Sequence, residues 1–87
     1  MRKIPFNTIW NVVVWFSHEM QAKLNENSHK GETWPRFSQR QLLNRLKQET
    51  GELERAIESG KDVVEEAADV ANFAMMIADN FTELNHD

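Results

Sequence analysis

The stretch Leu46–Phe73, LKQETGELERAIESGKDVVEEAADVANF, decides how the chain is read. Leu42, Leu46, Leu53 and Ala56 or Ile57 recur at helical spacing, and Gly60 follows as a stop. Upstream, Ser38 with Gln41 three residues on has the pattern of a capping box that opens this helix. Asp62 with Glu65 repeats the pattern and opens a further helix, with an apolar face of Val63, Ala67, Val70, Ala74, Ile77 and Phe81. A tight turn between two such helices makes an antiparallel hairpin.

The residues before this stretch add one more helix. Val12–Val14 favour a strand by propensity, but Ile9, Val13, Phe16, Met20 and Leu24 recur at steps of three and four. That longer stripe predicts a helix from about Asn7 to Asn27. NSHKGETWPRF, with Gly31 and Pro35, reads as a loop, and the polar tail TELNHD is expected to fray. The expected fold is all-α: three main helices in a single domain over residues 1–87, without internal repeats. Trp10, Trp15, Phe16, Met75 and Met76 read as packing residues.

A chain of 87 residues without cysteine has few ways to gain stability. Chains this small bury only about 60–65% of their unfolded surface. Disulfides and thiolate metal sites are excluded. Self-association is the remaining source of buried area, and two hairpins across a two-fold axis would form a four-helix-bundle core. The net charge of −4 argues against general nucleic-acid binding. Met1-Arg2-Lys3 precedes the apolar run IPFNTIWNVVVWF, but Asn7, Thr8 and Asn11 interrupt it and no small-residue cleavage site follows. It is too short to span a bilayer, so no membrane association and a cytoplasmic location are expected.

Within the opening stretch, four acids lie where core is expected. Glu49 occupies a stripe position between Leu46 and Leu53, and Glu52 follows one turn later on the same side. Glu66 and Asp69 have the same spacing and share a face with Phe73 and Met76. Antiparallel packing can bring both pairs to one level. Four carboxylates so placed either face water or are held by a cation, because burying them unpaired is costly. Oxygen ligands without Cys or His point to Mg²⁺ or Mn²⁺, and magnesium commonly completes its shell with substrate phosphates.

Spacing alone is weak, since 14 acids in 87 residues give roughly two i,i+3 pairs by chance. The intrusion of Glu49 into the apolar stripe favours a site over a solvated face. Glu54, Glu58 and Glu65 read as solvated charges. Di-iron bundle chemistry is excluded, because it needs Glu-x-x-His on two helices and neither helix of the hairpin contains histidine.

LKQETGELERAI followed by VVEEAADVANFAMMIAD resembles the MazG-like all-α nucleoside triphosphate pyrophosphohydrolases. The family motif of E-x-x-E, a spacer and E-x-x-D is met here by Glu49, Glu52, thirteen intervening residues, Glu66 and Asp69. MQAKLNENSHKGETW is similar to the approach segment of short, single-domain members, many of them carried by phages or mobile elements. The resemblance covers about Phe16–Asn80.

The resemblance implies hydrolysis of a nucleoside triphosphate, ribo or deoxy, to the monophosphate and pyrophosphate. It also implies metal binding by Glu49, Glu52, Glu66 and Asp69, and assembly as a homo-dimer or tetramer. One of the acids, or a metal-bound hydroxide, would drive attack of water on phosphorus, with Glu49 the preferred candidate. One divalent ion would leave four carboxylates and a triphosphate strongly over-negative, so more than one ion per site is expected.

By the same resemblance Lys23 and Lys30 would hold phosphate oxygens, against the alternative of ordinary surface lysines. Trp34 would stack on a base or cover a core edge. Asn72 would bind a metal water or ribose, or serve as a helix-interface amide. Arg45 is explained more simply by an i,i+4 pair with Glu49. Two alternatives stand beside this function: a phosphoribosyl-ATP-type pyrophosphatase of the same superfamily, and a non-catalytic helical interaction module whose acids solvate a face.

Overall fold

The computed structural model describes residues 2–26 and 34–84. It consists of three α-helices with no strand among the described residues: α1 (Phe6–Glu26), α2 (Gln39–Ser59) and α3 (Val63–Leu84). A single 3₁₀ turn, Trp34–Arg36, precedes α2. The helical spacing of α1 overrides the strand preference of Val12–Val14, as the stripe argument requires.

Local chemistry sets both ends of α2. Ser38 is extended (φ −71°, ψ 159°), and its Oγ accepts from the Gln41 N–H at 3.1 Å. The Gln41 Oε1 in turn accepts from the Ser38 N–H at 2.8 Å, so the capping box is complete. At the other end Gly60 is left-handed at φ 73°, and its N–H donates to the Ala56 carbonyl at 2.8 Å. The expected second capping box does not form. Asp62 is left-handed at φ 61° rather than extended, and the bond there is from the Glu66 N–H to the Asp62 carbonyl.

The hairpin of α2 on α3 holds the core, with Leu42, Ala56, Ala68 and Met76 buried. On α2 it is Ala56 that turns inward, while Ile57 is exposed. The inward line of α3 differs from the expected one. It runs through Ala68, Asn72, Met76 and Asn80, whereas Val63, Ala74 and Phe81 are exposed. The segment VANFAMMIA is apolar almost all round, so its periodicity does not select a phase.

Two buried asparagines take their places in that line through hydrogen bonds. Asn72 Nδ2 donates to the Met20 carbonyl of α1 at 3.0 Å. Asn80 Nδ2 donates to the carbonyls of Trp34 (3.0 Å) and Phe37 (3.4 Å). Gln39 Nε2 adds a bond to the Ile77 carbonyl at 3.0 Å. Of the tail expected to fray, the first three residues continue α3 to Leu84, with Thr82 Oγ1 donating to the Ala78 carbonyl, and residues 85–87 lie outside the described residues.

Helix α1 lies along α3 and buries no residue fully. Phe16, Met20 and Leu24 are half-buried, but Ile9 and Val13 of the same stripe are exposed, as are Trp10 and Trp15. No helix among the described residues is long and apolar enough to cross a membrane.

The two described glycines of the hairpin have opposite expected responses to alanine. At Gly51, mid-helix, a Cβ would meet only the Arg55 guanidinium at 3.8 Å, so Gly51→Ala stabilises by about 0.5–1 kcal/mol. At Gly60 nothing lies within 4 Å, but the left-handed backbone makes Gly60→Ala destabilising by about 1 kcal/mol. Thermal melting should move by roughly 4–8 °C per kcal/mol, up for the first and down for the second.

Candidate metal centre

The centre is built across the hairpin. Glu49 comes from the middle of α2, and Glu66 and Asp69 from the first two turns of α3. One carboxylate oxygen from each lies within 4.8 Å of the others. Full charges that close repel one another. The arrangement suits a hard divalent cation, which takes oxygen ligands and brings the charge that the trio lacks.

The titration behaviour reflects this crowding. Burial raises the Glu49 carboxyl above its ordinary value, and the charges of Asp69 and Glu66 push it the same way. Glu66 is raised by burial and by Asp69. Asp69 is raised by burial despite the counteracting pull of Lys23, with Glu26 adding to the rise.

Two cations stand at the rim. Lys23 Nζ, near the end of α1, lies 3.7 Å from Asp69 Oδ2 and 3.5 Å from Glu26 Oε2. Burial opposes its charge, but Asp69 and Glu26 outweigh that and raise its pKa. Arg45 Nη2 lies 3.8 Å from Glu49 Oε1, the expected i,i+4 pair. Its guanidinium also sits over the Phe73 ring, 5.2 Å from the centroid.

Among the sequence-predicted residues, Glu49, Glu66, Asp69 and Lys23 are thus brought together. Glu52 is not part of the trio: its Oε1 accepts from Arg55 Nη2 at 2.6 Å on an exposed surface. Asn72 is adjacent to Asp69 by one turn but serves the helix interface. Its Nδ2 is engaged by Met20, while its buried Oδ1 has no partner among the described residues.

Trp34 lies at the other end of α3, where its Nε1 donates to Asp79 Oδ2 at 3.0 Å. Asp79 is ten residues beyond Asp69, about 15 Å along the helix. Lys30 falls outside the described residues. The sequence reading missed Glu26, whose only signal was its i,i+3 spacing from Lys23.

No protein-family model matches the chain, and no curated protein or solved structure matches it either.

The raised carboxyl values fix a sign for the metal-free protein. Because Glu49, Glu66 and Asp69 hold protons more tightly folded than unfolded, stability falls as pH rises from the ordinary values of 4.5 and 3.8 through the raised ones. In chelator at pH 7, Glu66→Gln should remove one like-charge i,i+3 contact with Asp69, worth about 0.2–0.5 kcal/mol. It should melt roughly 1–4 °C above wild type, with the gap closing toward pH 4.5. A variant that melts below wild type at pH 7 would contradict the repulsion.

Proposed function

We propose that this chain is a metal-dependent nucleoside triphosphate pyrophosphohydrolase of the MazG-like kind, converting an NTP or dNTP to its monophosphate and pyrophosphate. The observation that carries the reading is the convergence of Glu49, Glu66 and Asp69 within 4.8 Å from two helices. With Glu52, which follows Glu49 by three residues, their order and spacing match the E-x-x-E and E-x-x-D motif. Lys23 and Arg45 beside the trio add the positive charge that a triphosphate needs.

Glu49, Glu66 and Asp69 would hold Mg²⁺ or Mn²⁺, with Glu52 as the fourth ligand. Glu52 is available for this at small cost, since its exposed pair with Arg55 is worth about 0–1 kcal/mol at most. Ions held there would supply a water of lowered pKa and neutralise charge on phosphate oxygens.

The remaining work belongs to side chains. Phosphoryl transfer asks chiefly for positioning and charge neutralisation, with no covalent intermediate. Glu49, the deepest acid on α2, would accept the proton of the attacking water, whose oxygen bonds to the α-phosphorus while the P–O bond from that phosphorus to the α,β-bridging oxygen breaks, so that the bridging oxygen leaves with pyrophosphate. Lys23 and Arg45 offer N–H donors to phosphate oxygens when they exchange their carboxylate partners for the substrate.

The working form is a homo-dimer or tetramer. Phe6, Trp10, Ile57 and Phe81 are 60–90% exposed in the single chain. Large apolar side chains exposed over several elements are what a subunit interface covers. Pairing of two hairpins would complete a four-helix core. Trp10→Glu should shift sedimentation toward the monomer and lower the melting temperature. An unchanged sedimentation coefficient would exclude α1 from the interface.

The direct test is pyrophosphate release from a panel of canonical and modified NTPs and dNTPs with Mg²⁺ or Mn²⁺. Glu49→Gln and Glu66→Gln keep shape and remove charge, and should each lose at least about 100-fold in kcat/KM, roughly the share one positioned acid or base contributes. Both should also lose the rise in melting temperature that metal gives the wild type, a mass-action effect of binding to the folded state. Well-folded protein that releases no pyrophosphate and melts identically with and without metal would leave the acids as a solvated face.

A further inference from the structure

The end of α3 remote from the acid trio carries a hollow that the chemistry above leaves unused. It measures about 430 Å³, within the range of about 300–1,000 Å³ typical of small-molecule sites. Charges of both signs line it. Asp79 and Glu83 stand one turn apart on α3, and Arg36 closes the 3₁₀ turn before α2. None of the ion pairs among the described residues joins Arg36 to either acid. Opposite charges that line one hollow without neutralising each other leave room for a ligand that carries both.

The amide groups of the wall carry the argument further. Asn80 is only 7% exposed, and its Nδ2 is committed to the carbonyls of Trp34 and Phe37. Its Oδ1 takes part in no hydrogen bond among the described residues. Gln39 Nε2 is likewise committed to the Ile77 carbonyl, and its buried Oε1 has no partner among those residues. Buried polar atoms are ordinarily hydrogen-bonded, so two amide oxygens on this wall ask for N–H donors. Across from α3, the Gln41 amide is held by its Oε1, which accepts from the Ser38 N–H, and its Nε2 is free to donate among the described residues.

We propose that this hollow binds a small aminocarboxylate, with its ammonium taken by Asn80 Oδ1, Asp79 and Glu83 and its carboxylate by Arg36 and Gln41 Nε2. An alkylammonium brings three N–H donors and no acceptor, which matches a wall of oxygens. Asp79 is already steadied for this, since its Oδ2 accepts from Trp34 Nε1 at 3.0 Å. A guanidinium is suited to a carboxylate, which it can hold by two parallel bonds. Pro35 and Phe37 flank the aliphatic stem between the two ends. A phosphate-rich ligand meets two carboxylates against one guanidinium here, and a polyamine meets Arg36, so neither suits the lining as well. The site is separate from the acid trio, about 15 Å along α3, and does not rest on the hydrolase reading.

The experiment titrates 4-aminobutyrate into the whole chain at millimolar concentrations while side-chain NMR signals are followed. n-Butylammonium chloride and sodium butyrate, each carrying one end of the same molecule, run beside it at matched ionic strength. The expected result is saturable shifts at the Asn80 and Gln39 side-chain amides and at the Trp34 indole N–H, with 4-aminobutyrate binding more tightly than either half. Glu83→Gln and Arg36→Gln alter exposed side chains and should each weaken it about two- to fivefold, the effect of one exposed charge pair. Glu83→Gln should weaken n-butylammonium as well, and Arg36→Gln should not.

Absence of saturable shifts would overturn the site, as would equal shifts from sodium chloride at the same ionic strength. Either half binding as tightly as the whole would overturn the two-ended ligand, and so would unchanged affinity in Arg36→Gln. Signals of the hollow that broaden with protein concentration and ignore 4-aminobutyrate would assign it to a subunit contact and overturn the proposal. Pyrophosphate release enters none of these readings, so loss of the hydrolase would leave the site standing, and the reverse.

Discussion

The bond from Asn72 to the Met20 carbonyl is the constraint on which the rest depends. A buried amide without a partner costs on the order of 1–3 kcal/mol, so α1 docks where a carbonyl meets that N–H. Lys23 stands three residues beyond Met20 on α1, and Asp69 three residues before Asn72 on α3. Both offsets are close to one helical turn. The hydrogen bond that seats α1 therefore also carries Lys23 to within 3.7 Å of Asp69. Asn80 does the same at the other end, taking the carbonyls of Trp34 and Phe37 and so fixing where α2 begins.

The start of α2 then sets the level of the acids. With Ser38 and Gln41 locked together and Gly60 ending the helix, α2 has a defined length, and the turn that follows returns the chain as α3. Arg45 meets Phe73 across the hairpin, and Glu49 meets Asp69 and Glu66 in the next layer toward the turn. A hydrogen-bonded framework thus places three like charges in one spot, against their own preference. Core packing alone would not choose that spot, since the buried apolar set of Leu42, Ala56, Ala68 and Met76 is small.

What was legible in the sequence follows from how local the cause is. The limits of α2 depend on contacts within three or four residues, and Ser38, Gln41 and Gly60 declared them. The stripe of α1 was readable as spacing, but spacing cannot say what covers it, and Ile9 and Val13 remain exposed in the single chain. The phase of α3 was not readable. Its inner line carries Asn72 and Asn80, whose suitability for the interior depends on carbonyls about 45–50 residues away in sequence. Glu49 stood out because an acid interrupted a leucine rhythm. Glu52 was assigned to the same group by spacing, yet Arg55, also three residues on, competes for it at 2.6 Å.

That competition separates two kinds of acid on one helix. Glu52 is exposed and satisfied by a close, charge-assisted hydrogen bond to its own helix. Glu49 and Asp69 have their cations at 3.8 and 3.7 Å, beyond the 2.7–2.9 Å of a close charged pair. Lys23 and Arg45 approach the trio from opposite helices and moderate its field without closing it. Among the described residues, Lys23 and Arg45 are the cations paired with members of the trio. Glu49, Glu66 and Asp69 are instead held half-buried, and burial raises the pKa of each.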